Sequence, residues 1–408
     1  MKIYLVGGAV RDQQLGLTID EKDYVVVGAN ADALIEQGFR AVGKDFPVFL
    51  HPKTHEEYAL ARTERKTAPG YHGFSFHTGP SVTLEEDLLR RDLTINAMAQ
   101  GDDGLLVDPY GGLRDLEARI LRHVSPAFSE DPVRILRLAR FQARFGPLGF
   151  TVAPETLTLM REMVEGGEVD ALVPERVFQE FHKALSEPDP ELFLEVLRQC
   201  GALARLFPEI AALEGVPQDQ RHHPEIDTGL HSRYVLKAAV RLSEDPKVRF
   251  AALVHDLGKG LTDPALWPSH PGHETLGLMP LEALCTRLRV PQAYARLAQK
   301  VVRHHGEIHK ALTLDAEGLV NLIEQLDGLR QPETFEEALI ASEADARGRP
   351  GYEEMAYPQG DRLRMALQLM QSIKAADLLA SGLQGPQLGE ALKAARIEAI
   401  RNWLLNFS

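Results

Sequence analysis

The stretch that constrains the fold most is the first, Lys2–Val27. Its apolar run Ile3–Val6 leads into Gly7 and Gly8, and an acidic cluster stands just before a second apolar run, Tyr24–Val27. This order predicts a strand, a glycine turn, the start of a helix and a second strand. Glycine lets backbone amides approach a phosphate closely, a helix N-terminus favours anions, and carboxylates hold divalent metals. The stretch therefore predicts a phosphate-binding turn beside a metal-binding strand.

The composition indicates a soluble protein of several domains. A chain of 408 residues is too long for one ordinary core, so about two to four domains are expected. We find no apolar run of membrane-spanning length and no secretory signal, and we expect a cytoplasmic protein without a membrane partner. The net charge is −14, but the first 150 residues contain 18 Lys and Arg against 21 Asp and Glu, which neither supports nor excludes an RNA partner. Cys200 and Cys285 stand far apart and are expected to be buried free thiols.

The first 120 residues alternate short apolar runs with turns, which predicts an α/β domain. We expect helices after Gly8, over Ala31–Gln37 and over Leu84–Met98. Between Lys66 and Pro80 the chain is rich in Gly and His without a period, which predicts a mobile loop. The predicted strands are Ile3–Val6, Tyr24–Val27, Val48–Leu50, Glu57–Ala61 and Leu105–Val107.

After Ser125 the pattern changes to long helical periods interrupted by Pro and Gly. The segment Gly215–Asp227 is predicted to be a linker. Beyond it, a histidine-rich helical unit extends to about Gln331, and a helical tail follows to Ser408. Helix starts are indicated at Glu130, Pro154, Pro174 and Pro190.

Three carboxylates in the first part are candidate metal ligands. Glu21 and Asp23 are separated by one residue and would lie on one side of a strand, and Glu57 opens another predicted strand. Carboxylates that converge repel one another and raise each other's pKa, which a bound cation relieves. We therefore predict that Glu21, Asp23 and Glu57 are catalytic, with Glu21 and Asp23 as metal ligands.

Two arginine-rich stretches lie further along. In the first, Arg90 and Arg91 precede Thr94 and Asn96, polar residues between apolar ones, which indicates polar groups turned toward a specific ligand. The second is predicted to be a helix whose charged residues share one broad stripe, namely Asp131, Arg134, Arg137, Arg140 and Arg144. Several arginines with one acid favour binding of polyphosphate or a base edge over an exposed, salt-bridged face.

The motifs GGAVRD, the acidic pair before YVVVG, RRDLTINA and EDPVRILRLARF resemble, in their order and spacing, the class II tRNA nucleotidyltransferases, the bacterial CCA-adding enzymes. The resemblance spans the whole chain. It implies an α/β N-terminal head with a polymerase beta-like nucleotidyltransferase fold, followed by an all-α neck, body, HD domain and tail. It also implies addition of C, C and A to tRNA without a nucleic-acid template, with tRNA, CTP and ATP as partners and Mg²⁺ as the cofactor.

The resemblance also assigns roles to residues. Gly8 and Arg11 would contact the triphosphate, Arg91 would meet the nucleotide, and Glu21 and Asp23 would hold Mg²⁺. The base-selecting helix would carry Asp131, Arg134, Arg137 and Arg140. An Asp carboxylate accepts a hydrogen bond from the exocyclic amine that C and A share, and an Arg donates to their ring acceptors. U and G present the opposite pattern, which would leave buried charges unpaired.

One position departs from the family pattern, which has Asp where this chain has Glu21. Glu carries the same charge on one more methylene, so we expect metal binding to survive with altered geometry. Asp20 is the alternative ligand, although it would lie on the opposite side of the strand.

A second set of candidate ligands lies far along the chain and resembles the HD phosphohydrolase superfamily, with VHDLGKG as its central motif. Imidazoles and a carboxylate on separate helices suit transition metals. By resemblance, His255 and Asp256 are catalytic, Lys259 lies near the substrate phosphate, and His273 and His305 complete a second metal position. The metal ligands would be His231, His255, Asp256 and Asp345. The implied activities are 2',3'-cyclic phosphodiesterase, 2'-nucleotidase and phosphatase, with Ni²⁺, Co²⁺ or Mn²⁺ as the metal.

These assignments predict a nucleotidyltransferase head over 1–125, a helical neck and body for nucleotide selection and tRNA binding over 126–225, an HD phosphohydrolase domain over 226–331 and a helical tail over 332–408. Three alternatives stay open: a poly(A) polymerase that uses only ATP, an HD phosphohydrolase with a non-catalytic head, and a tRNA-binding module without catalysis. The chain is expected to be a monomer or a homodimer.

Overall fold

The computed structural model describes residues 1–19, 21–42, 48–66, 74–376 and 384–406, which form two compact units, Met1–Leu206 and Phe207–Ser408. Asp20, the alternative metal ligand, lies outside the described residues, as do residues 67–73 of the predicted mobile loop. No helix in the described part of the chain is both long enough and apolar enough to span a membrane.

Unit 1 begins with a mixed sheet that, within the described residues, has seven strands in the order β3-β4-β5-β2-β1-β8-β9. Strands β1 and β2 are antiparallel and pair Leu5 with Tyr24, whereas β2 and β5 are parallel and pair Asp23 with Glu57. The strands are β1 (Lys2–Val6), β2 (Asp23–Val27), β3 (Arg40–Val42), β4 (Val48–Leu50), β5 (Glu57–Leu60), β6 (Arg62–Lys66), β7 (Phe74–Thr78), β8 (Ala99–Gly101), β9 (Leu106–Val107), β10 (Ile120–Leu121) and β11 (Thr151–Val152). The first acidic residue of β2 therefore stands beside the first acidic residue of β5.

Each face of this sheet is covered by its own apolar cluster, as the alternation of side chains in a strand requires. Val25 belongs to a cluster that includes Leu84 and Leu88, while its neighbour Val26 belongs to a second cluster that includes Phe49. Both valines are almost completely buried. A slip of one residue in β2 would exchange the two faces, so packing fixes the register that places Asp23.

The predicted helix Leu84–Met98 is wrong in its second half. The helix ends at Leu89, and Leu93 adopts an extended conformation that pairs with His123. The carboxylate of Asp92 accepts a hydrogen bond from the backbone N–H of Leu93 at 2.8 Å, which offers the backbone an alternative to the helical ladder. Residues 94–96 then form a single 3₁₀ turn.

The predicted mobile loop is also partly wrong, because Phe74–Thr78 is strand β7, which pairs with β6 in an antiparallel ribbon. The helices of unit 1 are α1 (Gly8–Gln14), α2 (Ala31–Glu36), α3 (Leu84–Leu89), α4 (Gly112–Glu117), α5 (Val133–Phe145), α6 (Pro154–Glu165), α7 (Pro174–Leu185), α8 (Glu191–Gln199) and α9 (Ala202–Leu206). Helix α5 packs against α7 and α8, which bury its apolar side.

Unit 2 is mostly helical. Its centre is formed by α11, α12, α15 and α17, which pack against one another. The helices are α10 (Pro208–Ala211), α11 (Thr228–Leu242), α12 (Pro246–Val254), α13 (His273–Leu276), α14 (Leu278–Arg287), α15 (Gln292–His309), α16 (Ala316–Gln325), α17 (Pro332–Arg347), α18 (Pro358–Ser372) and α19 (Gly385–Asn406). Helix α11 starts where the Asp227 carboxylate accepts a hydrogen bond from the N–H of Leu230 at 2.7 Å, an N-cap that fixes the helix bearing His231.

Candidate functional site

A cavity of about 500 Å³ opens in unit 1 between the glycine turn and helix α5. Its size suits a nucleotide. Eight residues predicted from the sequence line it, namely Gly8, Arg11, Asp23, Arg91, Asp131, Arg134, Arg137 and Arg140. Four further lining residues belong to stretches that the sequence singled out for ligand binding, namely Gly7 in the glycine turn, Arg90 and Asn96 in the RRDLTINA motif, and Arg144 on the arginine stripe. The remaining lining residues, Arg62, Asp92, Phe141 and Arg176, were not predicted.

The three predicted catalytic carboxylates occupy different positions. Asp23 lines the cavity, and Glu57 is its register partner on the neighbouring strand. Glu21 precedes β2 and is exposed; neither Glu21 nor Glu57 is among the described residues that line the cavity. Burial raises the pKa of Asp23, Arg91 opposes this rise, and the negative charge of Glu21 adds to it. A bound divalent cation would stabilise the charged form of a carboxylate whose pKa is raised in this way, and carboxylate oxygens suit Mg²⁺.

Gly7 brings Arg91 onto the glycine turn. Its φ is +68°, in the left-handed region that glycine adopts without strain. A Cβ at this position would lie 2.9 Å from the Arg91 Nη1 atom, so the guanidinium rests where a side chain would otherwise be. Glycine at this position therefore lets the Arg91 guanidinium lie against the turn, inside the cavity.

Buried carboxylates hold the arginines of the cavity in place. Asp12 accepts from Arg11 Nε at 2.8 Å and from Arg144 Nη2 at 3.2 Å. Asp87, whose side chain is fully buried, pairs with Arg90 at 2.9 Å and with Arg91 at 3.2 Å. Because each acid fixes two guanidinium groups, the positive charges are already oriented before an anion arrives.

A hydrogen-bonded chain links the glycine helix to α5 through the RRDLTINA motif. Arg11 Nη1 donates to Asn96 Oδ1 at 2.6 Å, Asn96 Nδ2 donates to Asp92 Oδ1 at 2.9 Å, and Arg137 donates to Asp92 Oδ2 at 2.8 Å. Burial alone would raise the pKa of Asp92, but Arg137 and Asn96 hold it well below its usual value. The polar residues of this motif thus couple two arginines across the cavity.

Two arginines of α5, and Asp131, which is extended and lies just before the helix, each have partners elsewhere in unit 1. Arg134 donates to the backbone oxygens of Ala127 at 2.7 Å and Arg90 at 2.6 Å. Arg140 Nε donates to Glu180 at 2.8 Å. Asp131 accepts from Arg176 Nη2 at 3.1 Å. Arg176 lies on α7, 45 residues from Asp131, so only the tertiary structure brings it to the cavity.

Unit 2 contains a second cavity, of about 640 Å³, lined by the histidine-rich helices. Asp256, after α12, and Asp345, on α17, line this cavity, whereas the buried His231 and His255 are not among the described residues that line it. Both histidines contact Asp345, with distances of 3.0 Å from His231 Nε2 to Asp345 Oδ1 and 3.5 Å from His255 Nε2 to the same oxygen. His273 Nε2 lies 3.3 Å from Asp256 Oδ1. The structure therefore brings all four predicted HD ligands together, and His273 and His305 lie beside them.

The tautomers of three histidines in this cluster follow from their backbone contacts. The Nδ1 atoms of His255, His273 and His305 lie 2.8 Å from the oxygen of Ala252, 2.9 Å from that of His270 and 3.0 Å from that of Val301. A carbonyl only accepts, so each Nδ1 carries a proton and Nε2 is the nitrogen left to bind a metal. His273 Nε2 and His305 Nε2 are 3.1 Å apart. When both rings are neutral with Nδ1 protonated, these two nitrogens present facing lone pairs, an arrangement that a bound cation stabilises.

The charges of the cluster also call for a cation. Asp256 is completely buried, and both of its carboxylate oxygens lack a hydrogen-bond donor among the described residues, although Lys259 Nζ lies 2.6 Å from Oδ2. Burial lowers the pKa of His255, but Asp256 and Asp345 outweigh it and raise that pKa to about 10. Burial lowers the pKa of His305 to about 3, which keeps this imidazole neutral. A bound cation would replace the proton that the raised pKa places on His255, and imidazoles with buried carboxylates are the donor set of a transition-metal site.

Sequence reasoning missed three residues at this cluster. His309 Nε2 lies 2.6 Å from Asp345 Oδ2, and the hydroxyl of Tyr357 lies 2.9 Å from His309 Nδ1. Glu225 Oε1 lies 2.7 Å from His231 Nδ1. His309 follows His305 by one helical turn, a spacing that could have identified it. Glu225 lies in the predicted linker Gly215–Asp227, where its polar sequence context gave no such signal.

Both the first and the second half of the chain match known protein families. Three family models match the chain: the poly A polymerase head domain over residues 3–122, the probable RNA and SrmB-binding site of polymerase A over 149–213, and the HD domain over 228–348. In solved structures, the fold matches a CCA-adding enzyme in apo form II with a TM-score of 0.68 and 23% identity, covering 100% of this chain and 92% of the other. It also matches the Thermotoga maritima CCA-adding enzyme complexed with tRNA, with a TM-score of 0.64 and 21% identity, covering 98% and 87%.

Curated relatives match over nearly the whole length. The multifunctional CCA protein of Methylococcus capsulatus is 64% identical over 402 residues, covering 98% of this chain and 95% of the relative. The multifunctional CCA protein of Thioalkalivibrio sulfidiphilus is 61% identical over 401 residues, covering 98% of each. This chain therefore belongs to the family of multifunctional CCA proteins.

Proposed function

We propose that this chain is a tRNA nucleotidyltransferase that adds C, C and A to the 3' end of tRNA from CTP and ATP, without a nucleic-acid template. The observation that carries the proposal is the cavity of unit 1, in which Asp23 faces a set of oriented arginines. Relatives that are 61–64% identical over 98% of the chain bear the name of CCA proteins, which supports the same activity here.

The residues of the cavity suit the separate parts of the reaction. Arg11 and Arg91 would neutralise the triphosphate, since both are held at the glycine turn by buried acceptors. Asp23, with Glu21 and Glu57 beside it, would hold Mg²⁺, which when bound supplies activation of the tRNA 3'-hydroxyl and neutralisation of the departing pyrophosphate. The ion pairs limit the movement of the arginine side chains. Folding therefore already orders these side chains, and nucleotide binding loses little further conformational entropy.

Base selection is assigned to Asp131, just before α5, and to the arginines of α5. Asp131 offers a carboxylate to the exocyclic amine of C or A, while Arg134 offers N–H donors to the ring acceptors. Arg134 is mostly buried and its guanidinium is held by two backbone oxygens, which fixes its orientation beside the cavity. Arg137 and Arg140 would complete the wall behind the nucleotide.

The test of this proposal is Asp23→Ala. The variant should lose CMP and AMP incorporation into tRNA by at least about a thousandfold, because the loss of a metal ligand removes several kcal/mol of transition-state stabilisation. Fluorescence titration with ATP in EDTA should show that the nucleotide still binds through the arginines. Incorporation at the wild-type rate in Asp23→Ala would refute the assignment.

We further propose that unit 2 is a metal-dependent phosphohydrolase with 2',3'-cyclic phosphodiesterase, 2'-nucleotidase and phosphatase activities. His231, His255, Asp256 and Asp345 would hold Ni²⁺, Co²⁺ or Mn²⁺, which when bound supplies a water nucleophile of lowered pKa. Lys259, whose Nζ lies 2.6 Å from Asp256 Oδ2, would contact the substrate phosphate beside the metal. Hydrolysis of 2',3'-cyclic AMP by the wild type but not by His255→Ala is the expected result, and hydrolysis by His255→Ala at an equal rate would refute it.

A cytoplasmic location and a monomeric or homodimeric state also belong to the proposal. The proposed substrates tRNA, CTP and ATP are cytoplasmic molecules, which supports the location. Sedimentation equilibrium of the full chain would distinguish the two oligomeric states.

A further inference from the structure

One histidine of the metal cluster differs from the others in what holds it. His255, His273 and His305 each place Nδ1 against a backbone oxygen. His231 lies within α11, and its Nδ1 instead lies 2.7 Å from the carboxylate oxygen Oε1 of Glu225. The side chains of His231 and Glu225 are almost entirely excluded from solvent, with 0% and 1% of their side-chain surface exposed.

The segment that carries Glu225 is folded over the cavity. Gln218 Oε1 accepts from Lys259 Nζ at 2.8 Å, and the oxygen of Pro217 lies 2.7 Å from His270 Nε2. The two ends of the segment meet, since Pro217 pairs with Asp227 and the Asp227 carboxylate accepts from the N–H of Gly215 at 2.6 Å. Residues 215–227, predicted to be a linker, thus form a wall of the second cavity.

The backbone at the end of this wall is strained. Ile226 has a φ of +62°, in the left-handed region that a β-branched residue rarely adopts, and its apolar side chain is 41% exposed. Neither feature favours folding, so surrounding contacts must hold the turn in place. The two neighbours of Ile226 make such contacts: Glu225 contacts His231, and Asp227 is the N-cap residue of α11. Together they fix the start of the helix that carries His231.

We propose that Glu225 is a positioning residue for the metal site of unit 2: its carboxylate accepts the Nδ1–H of His231 and so directs the Nε2 lone pair toward the metal and Asp345. This inference rests on the metal site proposed above. A carboxylate in this position fixes the ring and its tautomer and makes the imidazole a stronger donor, which backbone oxygens do for the other three histidines. His223, whose Nδ1 lies 3.2 Å from the same Glu225 oxygen, is the second group that keeps this carboxylate in place.

The test measures metal binding to the whole chain, stripped with EDTA and titrated calorimetrically with Ni²⁺ alone. Glu225→Ala should weaken Ni²⁺ binding about 10- to 100-fold. Glu225→Gln should weaken it less, because its amide oxygen still accepts the Nδ1–H. Asp219→Asn is the matched control: this carboxylate lines the same cavity on the same segment but pairs with Arg221, so its removal should change the Ni²⁺ affinity less than twofold.

Three outcomes would overturn the inference. Unchanged Ni²⁺ affinity in Glu225→Ala would do so, provided that His255→Ala loses binding; if His255→Ala also binds normally, the metal site itself is refuted. A lower stoichiometry at unchanged affinity would make Glu225 a ligand of a separate site with His223 and His231. Metal-free Glu225→Ala or Glu225→Gln melting several degrees below the metal-free wild type would assign Glu225 to the fold.

Discussion

At the residue scale, Gly7 in the glycine turn of unit 1 has no side chain, which leaves space for the Arg91 guanidinium. Gly7 and Gly16 have nearly the same φ, +68° and +69°, but only Gly7 has a neighbour where a Cβ would be placed, the Arg91 guanidinium at 2.9 Å. A Cβ at Gly16 would meet nothing within 4 Å. Substitutions at Gly7 and Gly16 therefore distinguish the effect of backbone strain from the effect of displacing Arg91.

We predict that Gly7→Ala lowers the rate of CMP incorporation at least about tenfold, because Arg91 must move away from the triphosphate position. Gly16→Ala should impose a similar backbone strain of about 1 kcal/mol yet leave the rate within about twofold. Single-turnover incorporation assays with saturating CTP provide the measurement. Equal loss in the two variants would mean that strain alone, not Arg91, explains the effect.

The contribution of Asp92 to the free energy of unfolding should depend on pH. Its pKa is held well below the usual value in the folded chain, so its stabilising contribution is complete above the unfolded-chain pKa of about 3.9 and is lost as the pH falls below that value. Asp92→Asn should therefore lower the free energy of unfolding of unit 1 by about 1–3 kcal/mol at pH 7. The gap between the variant and the wild type should shrink between pH 4 and pH 2.

Urea titrations followed by far-ultraviolet circular dichroism at several pH values measure this gap. A gap that stays constant down to pH 2 would show that the carboxylate charge of Asp92 does not hold Arg137.

At the element scale, helix α5 and the residue Asp131 just before it meet two other parts of unit 1, the RRDLTINA motif and helix α7. Arg137 reaches Asp92, Arg140 reaches Glu180, and Asp131 is held by Arg176. The sequence period predicts the helix and its charged stripe, because one face must be apolar to pack against α7 and α8. The period contains no information about which acid each arginine meets, since those partners lie 40 to 45 residues away.

We predict that Asp131→Asn relaxes base selection. The Asn amide nitrogen donates a hydrogen bond, which suits the O4 oxygen of U, whereas the Asp carboxylate only accepts. UMP incorporation relative to CMP should rise by about tenfold or more. Competition assays with labelled UTP and CTP measure the ratio; an equal fall for both nucleotides would make Asp131 a structural residue of the cavity.

Five of the seven strands that the sheet has within the described residues were predicted, whereas β3, β8 and the end of the helix that begins at Leu84 were not. Runs such as Tyr24–Val27 are apolar and bounded by turns, which identifies a buried strand. The helix over Leu84–Met98 failed because its apolar content continues past Leu89, while the side chain of Asp92 and pairing of Leu93 with the chain near His123 end the helix. Pairing of that kind is tertiary, so a local pattern cannot reveal it.

At the scale of the whole molecule, the two cavities belong to separate compact units, one in Met1–Leu206 and one in Phe207–Ser408. The residues of the metal cluster come from positions 231 to 345, so the cluster uses helix α17, which follows the predicted boundary at 331. The finer division at residues 125, 225 and 331 stays a prediction, which limited proteolysis would test.

We predict that the two activities can be removed independently. His255→Ala should abolish hydrolysis of 2',3'-cyclic AMP while CMP and AMP incorporation stays within about twofold of the wild type, since its partners all lie in unit 2. Asp23→Ala should do the reverse. Parallel assays on the two purified variants test this, and loss of both activities in either variant would show that the sites depend on each other.

The central claim is that unit 1 adds C, C and A in order, and the most direct measurement is incorporation into tRNA that lacks its terminal CCA. The purified chain is incubated with Mg²⁺ and each nucleotide in turn, and the products are resolved to single nucleotides. Two additions with CTP alone, followed by one with ATP, are the predicted result. A homopolymer of A from ATP alone would contradict the claim and identify the chain as a poly(A) polymerase.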